Sequence, residues 1–186
     1  MRGLEAASGS LEPVPALERP DLLAAPVLAA LTALPDDAAS SCGVVEIDPD
    51  LADTAAFCEA YSSPLEASAN CVVVAGSRSG EQRLAGCVVL ATTRADVNGI
   101  VRKRIDVRKA SFAPMDLAVE LTGMEYGGIT PFGLPADWPV LLDPAVVAAP
   151  AVVVGSGIRG SKLIVPGSVL ALLPGAESLE GLGRSG

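Results

Sequence analysis

No histidine occurs anywhere in this chain, so whatever chemistry it performs cannot rely on an imidazole. The residues best suited to work without one are Gly127-Gly128-Ile129-Thr130-Pro131-Phe132-Gly133. Glycine admits positive φ and lets main-chain N–H groups approach a ligand with no Cβ in the way, while Pro131 fixes its own φ and biases Thr130 towards an extended conformation. Such a run is either a turn between a helix and a strand or a cradle of backbone amides for an oxyanion. Gly155-Ser156-Gly157, followed by Arg159 and Gly160, is a second glycine-rich turn. It lacks the GxxxxGK[ST] spacing of a phosphate loop, and no full GxGxxG opens a βαβ unit.

Other reactive residues point to less. Cys42, Cys58, Cys71 and Cys87 contain no CxxC pair, and without histidine they predict reduced core thiols rather than a zinc site, although Cys71 and Cys87 begin two apolar runs that could face each other across a hairpin. The expectation is therefore no metal and no cofactor. Glu120 and Glu125 could form a carboxylate pair for hydrolysis, but acidic residues around a helix end are far more often solvated. Arg94, Arg102, Lys103, Arg104, Arg108 and Lys109 fall close together, with Asp96 and Asp106 interspersed. They are either a solvated helix face or a patch that docks one RNA. Broad nucleic-acid affinity is disfavoured by a formal net charge of -9, a pI near 4.4 and 3% aromatic residues.

These groups need a scaffold, and the length fits one domain with a sizeable core. Residues 1–19 mix Ser, Gly, Glu and Pro and read as a loose leader, leaving 20–183 as the domain. Pro26 opens a short helix over VLAALTAL, residues 43–47 read as a strand, and Asp48 to Asp53 read as an acidic helix start. CVVVAG at 71–76 and LAGCVVLATT at 84–93 predict a hairpin with SRSGEQR as a generous loop. DVNGIVRKRI has helical spacing, DVRKASF reads as a strand, and MDLAVELTG reads as a helix that Gly123 terminates. Short strands at PVLLD, AVVVGSG and SKLIVP precede a short helix in GSVLALLPGA. The absence of a regular βαβ period predicts an α+β fold with a mixed or mostly antiparallel sheet. No apolar run is long enough to span a bilayer and no signal-peptide pattern is present, so a cytoplasmic location without a membrane partner is expected.

Taken in order, CVVVAG, VVLATTRADVNGIVRKRIDVRKASFAPMDLAVELTGMEYGGITPFGLPADWPVLLD and VVVGSGIRGSKLIVPG resemble the YbaK/EbsC family, the prolyl-tRNA-synthetase-associated type of aminoacyl-tRNA editing domain. The likeness runs over roughly residues 45 to 183, and KASF, ELTG and GGITPFG in succession are its most specific part. It implies a single α+β domain with a curved mixed sheet flanked by helices. It also implies hydrolysis of the ester of a mischarged tRNA, with a synthetase as a further partner. Gly127, Gly128, Thr130, Pro131 and Gly133 match the family loop and would border the aminoacyl group, the amides near Gly127 and Gly128 holding the oxyanion. Lys109 and Ser111 match the KAS-like segment, and Gly155 and Gly157 match a later turn near the pocket. Arg102, Lys103, Arg104 and Arg108 would meet acceptor-stem phosphates.

One position departs from the family pattern. Where members carry a lysine just before the first hairpin strand this chain has Asn70, and its first lysine is Lys103. Asn70 can hydrogen-bond a ribose, a carbonyl or a water but supplies no charge, which Arg78 or Arg83 could replace. Two readings follow: an editing hydrolase, or a catalytically silent module that binds tRNA ends or an amino-acid-like ligand.

Overall fold

The computed structural model describes residues 3–185. In chain order it contains α1 (Glu5–Ser8), β1 (Val14–Pro15), α2 (Ala25–Thr32), α3 (Asp36–Ser40), β2 (Gly43–Glu46), α4 (Thr54–Tyr61), β3 (Ala69–Arg78), β4 (Glu81–Leu90) and β5 (Thr93–Ala95). Then come α5 (Arg102–Arg104, continuing a π-helical turn at Val97–Val101), β6 (Ala110–Phe112), α6 (Met115–Thr122), β7 (Val140–Leu142), α7 (Pro144–Ala148), β8 (Val152–Gly155), β9 (Ser161–Val165), α8 (Gly167–Leu170), β10 (Ala176–Ser178) and β11 (Gly183–Ser185). No helix among the described residues is long and apolar enough to cross a membrane.

Valine-rich β3 and β4 pair from Ala69↔Leu90 to Arg78↔Glu81 and form the middle of a five-stranded sheet ordered β10-β7-β4-β3-β6. β7 pairs in parallel with both β4 and β10, and the other pairs in this sheet are antiparallel, which makes the mixed α+β arrangement expected. A four-stranded antiparallel sheet ordered β1-β2-β9-β8 packs beside it, and β11 pairs with β5. SRSGEQR is mostly strand rather than loop. Only Ser79 and Gly80, at φ 53° and 86°, make the turn, the geometry that matches a hairpin's twist. Its polar residues are solvated strand ends, where Arg78 and Arg83 both pair with Asp106.

Strand alternation divides the core. Val88, Val140 and Leu142 face a large cluster with Val27, Leu31, Phe132 and Leu163, whereas Cys87, Val89 and Leu141 face a second with Val101, Ile105 and Leu182. Cys71 lies opposite Val88 and Cys87 opposite Val72, so the two thiols are not direct cross-strand partners, and all four cysteines are free. Burial pushes the Cys42 thiol up to about 11 and that of Cys87 up to about 12.

The supposed loose leader is built into the body. Leu4 and Ala7 are buried with Val45, Phe57, Val153 and Ile164, and β1 pairs with β2. Its Gly, Ser and Pro content shapes tight turns around a few apolar anchors rather than a free tail, and Met1 and Arg2 lie outside the described residues.

Candidate active site

The two sheets meet where Ser68 bridges Val153, and they part beyond it. β6 covers only Val74–Gly76 of β3, so the first half of β3 has an open edge. A cavity of about 460 Å³ occupies that opening. Its walls come from Asn70 to Val73 on β3, Asp53, Thr54 and Phe57 around the start of α4, Phe112, Ala113 and Met115, then Tyr126, Gly127 and Ile129, the end of β8, and Lys162 on β9. The Val73 carbonyl accepts from the Ala113 amide at 2.8 Å, so by strand alternation the Cys71 N–H and C=O point the same way, out of the uncovered edge.

Asn70 is set by a neighbour. Thr54 Oγ1 donates to Asn70 Oδ1 at 2.8 Å, which turns the Asn70 NH₂ group, without an acceptor among the described residues, into the available donor. Gly127, at φ 85°, lines the cavity, and its N–H has no acceptor among the described residues.

Gly128 is placed differently from the expected oxyanion donor. Its N–H donates to the Glu125 carbonyl at 2.9 Å and closes a turn, and a Cβ there would lie 2.7 Å from the Ile158 backbone. Gly155 lines the cavity as expected, and a Cβ on it would meet the Gly128 carbonyl at 2.2 Å. The remainder of the loop turns inward. Thr130 is fully buried, with Oγ1 lacking a hydrogen-bond partner among the described residues, and Pro131 is buried beside it. Gly133 fits against the Pro26 carbonyl, where a Cβ would lie 2.3 Å away, and Gly157 fits against Ala24 and Val27. None of Thr130, Pro131, Gly133 and Gly157 reaches the cavity. Gly133 and Gly157 pack instead against the α2 side.

The sequence profile of the aminoacyl-tRNA editing domain matches residues 48–172. The chain belongs to that family. Solved structures share the fold of this editing domain. One, from a study of computational epitope backbone grafting onto scaffold proteins, is 20% identical with a TM-score of 0.70, covering 88% of this chain and 97% of its own. A candidate trans-editing enzyme for prolyl-tRNA synthetase is 21% identical with a TM-score of 0.69 over the same shares of the two chains. A hypothetical protein is 17% identical with a TM-score of 0.65, covering 76% of this chain and 90% of that one.

In the editing domain, the basic segment lies away from the cavity. Val101, Ile105 and Val107 fix it over Val74 and Val89, while Ala113, Ala118, Ile129 and Leu134 pack around Val73 on the other side of β3. Arg102 Nε donates to the Asn98 carbonyl and Arg104 pairs with Glu177 at 2.5 Å. Lys103 and Arg108 are exposed on the same segment, and none of the four lines the cavity. Lys109 and Ser111 are exposed and outside it as well, although Phe112 and Ala113 next to them are cavity walls. Neither Arg78 nor Arg83 contributes to it.

The editing domain also has cavity residues that the sequence reading missed. Phe112 and Tyr126 are 62% and 58% exposed at the cavity wall. Lys162 is only 7% exposed, and its Nζ donates to the Ala52 carbonyl at 2.6 Å and lies 5.9 Å from the centre of the Phe57 ring. Burial lowers its pKa to about 8, with Asp53 working against the shift and Arg159 adding to it. The available signal was one charge inside the apolar strand SKLIV. Among the described residues no three His, Cys, Asp or Glu side chains are grouped to hold a metal ion.

Proposed function

We propose that this editing domain removes the amino acid from mischarged tRNA in trans, by hydrolysing the ester at the tRNA 3′ end, in the cytoplasm and in association with a synthetase. The observation that carries the reading is the cavity at the open edge of β3, where Asn70, the Gly127 amide and the Cys71 backbone converge between apolar walls. Its about 460 Å³ suits a small organic group held by a few placed polar atoms. Val72, Val73, Ile129 and Val154 favour a small uncharged aminoacyl side chain. An aminoacyl ester is already activated, so the protein needs mainly to orient water and hold developing negative charge. Asn70 NH₂ positions the water or ribose, the Gly127 N–H faces the carbonyl oxygen, and the Cys71 C=O accepts from the substrate's α-ammonium. Phe112 and Tyr126 offer faces on which the terminal base stacks. A protein of the same fold named as a candidate trans-editing enzyme for prolyl-tRNA synthetase supports this substrate class.

The test is ester loss from a panel of correctly and incorrectly charged tRNAs. Loss above the uncatalysed rate for at least one mischarged member is expected, and none for any member overturns the reading. Asn70 favours a second reading, a silent module that binds tRNA ends, because it brings no charge. Turnover gained only in Asn70→Lys supports that alternative, whereas turnover by the unmodified protein excludes it.

A further inference from the structure

We propose that Lys162 is the charge that holds the substrate's carbonyl oxygen as it becomes an oxyanion. This rests on the hydrolase reading above and names a residue from a different part of the fold. β9 lies between β2 and β8, so Lys162 projects from an internal strand, where lysine is rarely buried unless paired. Its cross-strand neighbours, Val45 and Gly155, carry no charge. An ammonium has three protons to donate, and the Ala52 carbonyl takes one. Among the described residues no carboxylate lies within ion-pair distance of Nζ. The face that remains is the cavity, which Lys162 lines together with Asn70 and Gly155. A desolvated cation that spends one proton on a backbone carbonyl and lines a cavity with the rest is arranged for an anionic atom rather than for packing.

The step balances without any further reagent. Water oxygen bonds to the ester carbonyl carbon while the C=O π pair moves onto the carbonyl oxygen, where Lys162 and the Gly127 amide hold it. Collapse restores the C=O and breaks the bond to the ribose oxygen, which takes a proton from the added water. Lys162 keeps its own proton throughout. The charged and titratable groups facing it are Asp53 and Cys58 from the α4 side and Arg159 from the loop before β9. Because its pKa is lowered to about 8, the holding charge fades as pH rises through that value.

Kinetics and binding together test this. Lys162→Met should lose about 10²–10³-fold in kcat, the range for removing one oxyanion donor, with KM changed little. The unmodified protein's rate, corrected for uncatalysed ester loss, should fall above pH 8 or so; a rate that climbs there marks a general base and overturns the proposal. Calorimetry compares an adenosine 3′-aminophosphonate ester, tetrahedral and anionic, with an adenosine 3′-aminoacylamide, planar and neutral. The unmodified protein should prefer the phosphonate, Lys162→Arg should keep part of that preference, and Lys162→Met should lose it. Should no tRNA be hydrolysed while Lys162→Met still abolishes the preference, the hydrolase reading fails and the anion-holding role stands. If tRNA is hydrolysed and folded Lys162→Met retains both turnover and preference, the Lys162 proposal alone is overturned.

Discussion

The amide of Gly157 donates to the carbonyl of Gly128 at 2.8 Å, tying together two glycine turns that are far apart in sequence. The same junction includes the Glu125 amide on the Gly157 carbonyl at 2.8 Å and Glu125 Oε2 accepting from the Arg159 amide at 2.7 Å. Backbone packs on backbone, so the glycines at 128 and 155 are required by close approach, while Gly127 alone of the leading pair faces the cavity.

That division separates two neighbouring substitutions. Gly128→Ala drives a Cβ into the Ile158 backbone and should destabilise the fold by about 1–3 kcal/mol, read as a lower midpoint in urea unfolding. Gly127→Ala meets the Arg159 guanidinium, a side-chain end held by the Tyr126 and Pro49 carbonyls rather than backbone, and imposes a left-handed conformation on alanine, costing about 1–2 kcal/mol, and should chiefly reduce deacylation. Equal stability losses with equal activity losses would remove the distinction between anchoring and cavity-facing glycine.

Thr54 should matter through Asn70. Replacing it by valine removes the donor to Asn70 Oδ1 and frees the side-chain amide to rotate, so an NH₂ group held towards the cavity becomes one of two orientations. Thr54→Val is expected to lower kcat by about tenfold, equivalent to the loss of roughly one modest hydrogen bond, while Thr54→Ser keeps most activity. Equal activity in both variants would mean that Asn70 needs no orienting partner.

Phe112 and Tyr126 supply the exposed aromatic faces at the cavity wall, although aromatic residues make up only 3% of the chain. Base stacking on one such face is worth about 1–3 kcal/mol, so Phe112→Ala and Tyr126→Ala should each raise KM for charged tRNA several-fold or more. Their exposure predicts little change in melting temperature. An unchanged KM in both would place the terminal base elsewhere.

Legibility in the sequence followed the physics of each segment. β3, β4 and α6 were visible because apolar runs, an opening proline and a terminal glycine act locally; Gly123 does adopt the left-handed cap, at φ 67°. The leader was misread because Leu4 and Ala7 have no periodic signal and gain their meaning only against Phe57 and Ile164. Asn70, Gly127 and Gly155 reach the cavity through pattern, whereas Thr130 and Gly133 share the motif but turn away from the cavity, Thr130 into the interior and Gly133 against Pro26. Lys162 was not legible because its neighbours Ala52 and Phe57 come from a distant stretch, and only the sheet order brings them together.

That burial also gives Lys162 a stability signature independent of any substrate. Its pKa falls from 10.5 unfolded to about 8 folded, so folding opposes its protonation and the unfolded chain binds more protons between those values. This residue therefore destabilises the native state most below pH 8, and the penalty, on the order of 3 kcal/mol, is relieved as pH rises towards 10.5. Lys162→Met, which fills a similar volume without charge, should match or exceed the parent protein's stability at pH 7. Its advantage should shrink steadily through the alkaline window in denaturant titrations. A difference in unfolding free energy that stays constant from pH 7 to pH 10 would show that Lys162 is not desolvated in the folded protein.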